Sequence, residues 1–89
     1  MNKHLIIKVH GHVQGVFFRH SARQKALELG LKGFVKNEND GAVSIETEGS
    51  PEKLHELVQW CYAGSGYSRT DKVEISEAPL QNFIGFEII

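Results

Sequence analysis

The chain has 89 residues, of which 40% are hydrophobic and 24% charged, and its formal net charge is −1. This length predicts one domain over residues 1–89, and the apolar fraction excludes a disordered tail, a collagen-like rod and a coiled coil. The near-zero net charge hides an asymmetry. Residues 1–36 carry seven Lys/Arg and one acid, whereas residues 37–89 carry three Lys/Arg and ten acids. The basic half either binds a polyanion or is neutralised by the acidic half within the fold.

The cysteine count and the N-terminal residues indicate a compartment. Cys61 is the only cysteine, so one chain cannot form an internal disulfide, a thiolate zinc site or an iron–sulfur cluster. The apolar run Leu5-Ile6-Ile7 is interrupted by Lys8, far short of a signal peptide or a membrane span. We therefore expect a cytoplasmic protein that does not associate with membranes.

The first strand and the first helix follow from apolar periodicity. From Leu5 to Val9 apolar and polar residues alternate, which predicts a strand covered on one face. A helix is predicted from Phe18 to Leu29, because its apolar positions recur at spacings of four, four and three. Those positions are Phe18, Ala22, Ala26 and Leu29. Gly30 ends this helix.

A hairpin and a second helix come next. Phe34 to Asn37 is a short strand, Asn39-Asp40-Gly41 is a tight turn, and a strand follows in which Val43, Ile45 and Thr47 alternate with polar residues. Ser50 is a helix N-cap and Pro51 the first helical residue of a helix that runs to about Ala63. Its predicted buried positions are Leu54, Leu57, Val58 and Cys61.

Two short strands complete the chain, around Val73–Ile75 and Ile84–Ile88, with Pro79 between them. The element order is β-α-β-β-α-β with an additional C-terminal strand. This order predicts the α+β class and a ferredoxin-like sandwich, in which an antiparallel sheet carries two helices on one face.

This topology predicts that Arg19 and Asn37 are neighbours. In a split β-α-β unit the first two strands run in the same direction, and the crossover helix returns the chain to its starting edge. The end of strand one, the start of helix one and the end of strand two therefore share one sheet edge. Arg19 lies on the first turn of that helix, and Asn37 ends strand two.

The loop before the first helix has the properties of an anion site. A helix N-terminus offers unpaired N–H groups and the positive end of a dipole, and Gly15 allows close backbone approach. Arg19 can bind two phosphate oxygens in a fork. Val13 and Arg19 enclose five residues, as in the cysteine-phosphatase loop, but Val13 replaces the nucleophilic cysteine. Phosphoryl transfer here requires water as the nucleophile.

These residues resemble a known family. Gly11-His12-Val13-Gln14-Gly15-Val16-Phe17-Phe18-Arg19 is followed at matching intervals by Ala26, Gly30, Gly33, Val35, Asn37, Asp40-Gly41 and Val43. Together they resemble the acylphosphatase signature, with roughly half of the chain matching densely. The resemblance implies a ferredoxin-like fold and hydrolysis of the carboxylic–phosphoric anhydride bond of acyl phosphates. It also implies that no metal or other cofactor takes part.

The resemblance assigns roles to individual residues. Arg19 matches the family's phosphate-binding arginine, and Asn37 matches the asparagine that orients the attacking water. The phosphate cradle corresponds to the backbone of Gln14, Gly15, Val16, Phe17 and Phe18. Because asparagine is not a base at neutral pH, the resemblance implies that the substrate's own phosphate accepts the water proton. The segment 63–69 departs from the family by lacking its usual Gly-Pro step.

Simpler interpretations exist for several of these residues. Arg19 is otherwise a solvated helix residue, and Asn37 a turn residue. His10 and His12 share a strand face near His20, but alternating polar residues on an open sheet face account for them, and no carboxylate completes a metal site. We expect His20 at the rim of the phosphate site and Cys61 as a buried, unreactive thiol.

The same residues argue against two other functions and leave one alternative. An RNA-recognition module needs aromatics on the third strand, where residues 42–48 have none and expose two carboxylates. A copper carrier needs a Cys-x-x-Cys loop. A ligand-sensing regulatory domain remains the alternative, and it would be an obligate oligomer that binds a metabolite between subunits. We expect a monomer that binds a small acyl phosphate, with phosphate or a similar anion in its site.

The charge asymmetry fits this topology. Lys8 and His10 on strand one are predicted to share the open sheet face with Glu46 and Glu48 of the neighbouring third strand, and Lys36 joins them. Opposite charges on neighbouring strands contribute about 0.2–1 kcal/mol each. The basic half is therefore expected to pair with the acidic half.

Overall fold

The computed structural model describes all 89 residues, Met1–Ile89, and contains seven elements. They are β1 (Lys3–His12), α1 (Phe18–Glu28), β2 (Lys32–Asn37), β3 (Val43–Gly49), α2 (Pro51–Ala63), β4 (Arg69–Ala78) and β5 (Phe86–Ile88). The predicted element order is confirmed. The strand β4 is longer than the predicted Val73–Ile75. It is an outer strand of the sheet, and most of its residues are exposed and show little apolar alternation, so the pattern indicated only its middle. Neither helix is long or apolar enough to cross a membrane.

The strands form one sheet in the order β4-β1-β3-β2-β5. The four strands β4, β1, β3 and β2 are antiparallel neighbours, as expected for the ferredoxin-like fold. The additional strand β5 pairs parallel to β2, with Gly33 opposite Phe86 and Val35 opposite Ile88, so the complete sheet is mixed. Because β5 runs parallel to β2, both strands end at the same sheet edge.

A single apolar core lies between the sheet and the two helices. The predicted strand face is buried at Ile7 and Val9, while Leu5 is partly buried against the core. The ring centroids of Phe18 and Trp60 are 5.2 Å apart, which joins α1 to α2. Cys61 is fully buried, and burial raises the pKa of its thiol to about 12. This thiol is protonated at neutral pH and inaccessible, as predicted.

The opposite sheet face is not fully open. The segment 79–85 connects the two outer strands and crosses this face, where Phe83 packs against the rings of His4 and Phe34 at 5.5 and 5.7 Å. His4 and Glu48 are consequently buried. The expectation that Glu48 faces solvent was wrong, because the sequence gives no sign that this segment covers the strand.

Buried His4 and Glu48 form a polar network. His4 Nδ1 lies 2.7 Å from Glu48 Oε2, and His4 Nε2 lies 3.0 Å from Glu46 Oε1. Each imidazole nitrogen thus lies within hydrogen-bond distance of one carboxylate oxygen. Glu48 also accepts hydrogen bonds from the backbone N–H groups of Gln81 and Phe83. The network therefore fastens the segment 79–85 to the sheet.

The other ion pairs correct the predicted partners. Lys8 pairs with Asp40 at 2.9 Å and His10 with Glu74 at 2.5 Å, instead of with Glu46 and Glu48. Lys36 pairs with Glu38 at 3.7 Å. Cations of the basic half do meet acids of the acidic half. Their partners differ because two of the acids belong to the β2–β3 turn and one to β4.

The Glu48 network predicts a dependence of stability on pH. Burial raises the pKa of Glu48, but hydrogen bonds from Gln81, His4 and Phe83 outweigh burial and hold the pKa below its ordinary value. In the unfolded chain Glu48 has its ordinary, higher pKa, so it binds a proton there first as the pH falls. The stabilisation from its carboxylate is therefore present above the ordinary carboxyl range and is lost as the pH falls through the lowered pKa.

We expect Glu48→Gln to lower the free energy of unfolding by about 1–3 kcal/mol at pH 7, because it weakens hydrogen bonds to a buried charged acceptor. The variant should also lose less stability than the parent between about pH 5 and pH 3. Urea unfolding across this range measures both effects. Glu77→Gln is the control, since Glu77 forms an exposed pair with Lys3 and its removal should leave the urea midpoint unchanged. Identical pH profiles for parent and Glu48→Gln would contradict the prediction.

Candidate functional site

Four chain segments meet at one edge of the sheet. The strand β1 ends at His12, β2 at Asn37 and β5 at Ile88, while α1 begins at Phe18. Since β1, β2 and β5 run in the same direction, their C-terminal ends share this edge. The β-α-β geometry thus brings the loop 13–17 to the end of β2, in agreement with the prediction from topology.

A cavity of about 300 Å³ opens at this edge. It is lined by Val13, Gly15, Phe17, Phe18, Arg19, His20 and Ile88. Four of the predicted site residues are therefore among its lining, and His20 also lines it. Gln14, Val16 and Asn37 do not line it. Ile88 was not predicted, because its position depends on the pairing of β5, which periodicity does not specify.

The N-terminus of α1 carries no protein cap. The first hydrogen bond of the helix joins Ser21 N to Phe17 O at 3.0 Å, so the preceding N–H groups have no acceptor within the helix. Phe17 occupies the N-cap position without a side-chain cap, and no acidic residue lies in the first turn. By contrast, Ser50 caps α2, and Glu52 lies in its first turn. The start of α1 is therefore suited to an external anion.

The backbone of the loop before α1 adds further donors. Gly15 and Phe17 both have positive φ, of 73° and 63°, which turns the chain sharply around Val16. The N–H groups of these three residues donate to no protein acceptor. Gly15 adopts this conformation without steric cost, whereas Phe17 does not. Successive unpaired N–H groups in such a turn form a concave anion-binding surface.

Arg19 places an uncompensated positive charge in the cavity. It is partly buried, and no carboxylate oxygen lies within 4.0 Å of its side-chain nitrogens. Other cations of the basic half, such as Lys8 and Lys36, are paired with carboxylates. The guanidinium therefore keeps its charge and its donors available for an anion.

Gln14 connects the loop to the turn that follows Asn37. Its Nε2 donates to Glu38 O at 2.8 Å and to Ala42 O at 2.9 Å. Sequence reasoning assigned only the backbone of Gln14 to the site and missed this side-chain contact. A glutamine in a loop gives no signal of such a contact, because its acceptors are carbonyls distant in sequence.

Asn37 lies at the last pairing of β2 with β3, opposite Val43. It is exposed, and its side chain makes no hydrogen bond within the protein. The following turn is held by Asp40, which accepts from Ala42 N at 3.0 Å and pairs with Lys8. The hydrogen bond from Lys8 lowers the pKa of Asp40, and the same bond raises the pKa of Lys8. Asn37 is thus free to bind a ligand while its backbone is fixed.

The three histidines near this edge have separate environments. His10 pairs with Glu74, His12 is exposed and His20 lines the cavity. The structure has no group of three His, Cys, Asp or Glu side chains arranged to hold a metal ion.

Comparisons with known proteins agree with this geometry. The acylphosphatase family model matches residues 5–88. An acylphosphatase of Rubrobacter xylanophilus is 42% identical over 87 residues, which are 97% of this chain and 79% of the relative. The crystal structure of acylphosphatase from Bacillus subtilis has a TM-score of 0.93 at 36% identity, covering 100% of this chain and 99% of that one. An acylphosphatase structure from Coxiella burnetii has a TM-score of 0.95 at 33% identity, covering 99% and 93%. The chain therefore belongs to the acylphosphatase family.

Proposed function

We propose that the enzyme hydrolyses acyl phosphates at the cavity beside α1. Arg19 and the backbone N–H groups of residues 14–18 bind the phosphoryl group, and Asn37 orients the attacking water. Membership of the acylphosphatase family supports acyl phosphate hydrolysis as the reaction. The assignment of these residues is our proposal.

The observation that carries the proposal is the concentration of unpaired donors around one cavity. The start of α1 has no cap, the loop N–H groups of Gly15 to Phe17 have no acceptor, and Arg19 has no carboxylate partner. A folded chain rarely leaves so many donors unpaired without a ligand or water to accept from them. A phosphoryl group has three oxygens that can accept from several donors at once.

The reaction is a displacement at phosphorus. The water oxygen forms a bond to phosphorus, the bond from phosphorus to the bridging oxygen breaks, and its electron pair leaves with the carboxylate. The water proton passes to a phosphoryl oxygen, so the products are a carboxylate and inorganic phosphate. Because the carboxylate is a good leaving group, the protein mainly positions the reactants and stabilises charge on the phosphoryl oxygens.

Asn37 is suited to the water-positioning role. Its amide both donates and accepts hydrogen bonds, so it can hold a water without removing its proton. Gln14 fixes the distance between the loop and the turn after Asn37 through its two carbonyl contacts. This connection supports the proposal because it keeps the turn after Asn37 at a fixed position relative to the loop.

Loss of the guanidinium tests the phosphate site. We expect Arg19→Gln to lower kcat/KM for benzoyl phosphate by at least about 10²–10³-fold, since it removes a donor to transition-state charge. Inorganic phosphate should no longer inhibit this variant. Hydrolysis is followed in excess chelator by loss of the anhydride. Lys25→Gln removes a charge from the last turn of the same helix and should retain parental activity. Parental turnover by Arg19→Gln would contradict the proposal.

Removal of the amide tests the water-positioning role. We expect Asn37→Ala to lower kcat by about 10²-fold or more, as for loss of other positioned polar groups, while inhibition by inorganic phosphate changes little. Steady-state kinetics with phosphate as inhibitor separates the two effects. Asn39→Ala alters an exposed asparagine in the adjacent turn and should behave as the parent. If Asn37→Ala weakened phosphate inhibition as much as turnover, Asn37 would bind phosphate instead of water.

A further inference from the structure

Two exposed aromatic side chains contact each other: Phe17, which lines the cavity, and Tyr67. Their exposed fractions are 71% and 75%, and their ring centroids lie 6.2 Å apart at an interplanar angle of 62°. Single exposed apolar residues are common on protein surfaces. Two rings in edge-to-face contact form a continuous apolar surface, and aromatic surfaces of this kind are typical of binding sites.

The backbone of Phe17 is held in an unfavourable conformation. Its φ of 63° is in the left-handed region, which bulky residues rarely adopt, and Asn82 is the only other non-glycine residue with positive φ. Because the ring is largely exposed, packing within the fold does not compensate for this strain. A strained and exposed residue at a cavity indicates a role in ligand binding.

Tyr67 is held beside Phe17 by the loop between α2 and β4. Ser65 Oγ donates to Val16 O at 3.0 Å, which joins this loop directly to the one that contains Phe17. Ser65 N donates to Ser68 Oγ at 2.9 Å, which closes the turn around Tyr67. The two rings therefore belong to loops that are bonded together, so their contact is a built feature of this edge.

We propose that Phe17 and Tyr67 bind the acyl group of the substrate and favour an aromatic acyl group over a short aliphatic one. The inference rests on the phosphoryl site proposed above. One oxygen joins the acyl group to phosphorus, so the acyl group must lie directly beside the phosphate loop. Phe17 belongs to that loop and lines the same cavity as Gly15 and Arg19.

The rest of the cavity lining beside Phe17 fits an apolar acyl group. Val13, Phe18 and Ile88 contribute apolar surface, and no carboxylate lines the cavity to bind a cationic acyl group. A benzoyl ring is large enough to stack on Phe17 and to reach Tyr67, whereas the methyl group of acetyl phosphate is too small to contact both. Aromatic pairs gain from stacked and edge-to-face contact beyond their buried area.

The test compares kcat/KM for benzoyl phosphate and acetyl phosphate in the parent, Tyr67→Ala and Phe17→Asn. Asparagine tolerates positive φ, so it removes the ring while keeping the backbone conformation. We expect the benzoyl-to-acetyl ratio to fall about 3- to 10-fold in each variant, the size of one lost aromatic contact. The intrinsic reactivities of the two anhydrides are the same for all variants and cancel in this comparison.

Two controls separate the aromatic surface from the phosphoryl site. Tyr67→Phe keeps the ring and should keep the parental ratio. Tyr62→Ala removes an exposed tyrosine of α2 that forms no contact with another aromatic ring, and it should also keep that ratio. An unchanged ratio in both Tyr67→Ala and Phe17→Asn would overturn the acyl-binding surface alone. A parent that hydrolysed neither substrate would instead overturn the proposed function.

Discussion

Unpaired backbone N–H groups at the start of α1 are the constraint on which the rest of this edge depends. The two helices of the sandwich begin in opposite ways. Ser50 and Pro51 complete the start of α2 within the protein, whereas Phe17 leaves the start of α1 without a side-chain cap. A conventional cap on α1 would satisfy one of the donors and stabilise the helix by about 1 kcal/mol. Without such a cap, the positive end of the helix dipole lies beside Arg19, and an anion there can accept from the unpaired N–H groups.

The ion pairs of the chain leave Arg19 without a partner at this site. Several cations of the basic half are neutralised by acids of the other half, among them Lys8 by Asp40 and Lys36 by Glu38. Arg19, Arg23, Lys25 and Lys32 have no carboxylate partner, and of these four cations only Arg19 lines the cavity. The cavity thus retains a full positive charge, in a chain whose formal net charge is −1. A single small anion is the ligand that such a distribution favours.

The sequence predicts those parts of the fold and the candidate site that depend on periodicity and handedness. Apolar alternation locates β1 and β3, helical spacing locates both helices, and the right-handed crossover brings the loop before α1 to the end of β2. Contacts made by polar groups across long separations were missed. Two examples are the hydrogen bonds of Gln14 to two carbonyls and the burial of His4 by the segment 79–85. Neither has a periodic signal in the sequence, because each depends on the path of a loop in the folded chain. The position of Ile88 was missed for the same reason, since three residues of β5 are too few for a pattern.

Two neighbouring segments hold the loop 13–17 in place. Gln14 bonds the loop to the β2–β3 turn, and Ser65 bonds it to the α2–β4 loop. Both contacts join a side chain to main-chain carbonyls, so they leave the N–H groups of the loop unused. Donors that are already oriented need no reorganisation when charge develops on a phosphoryl group, and this is the largest contribution that a site without a strong base can make. The strained backbone at Phe17 is consistent with such fixation, because an unfavourable φ persists only where the surrounding contacts prevent its relaxation.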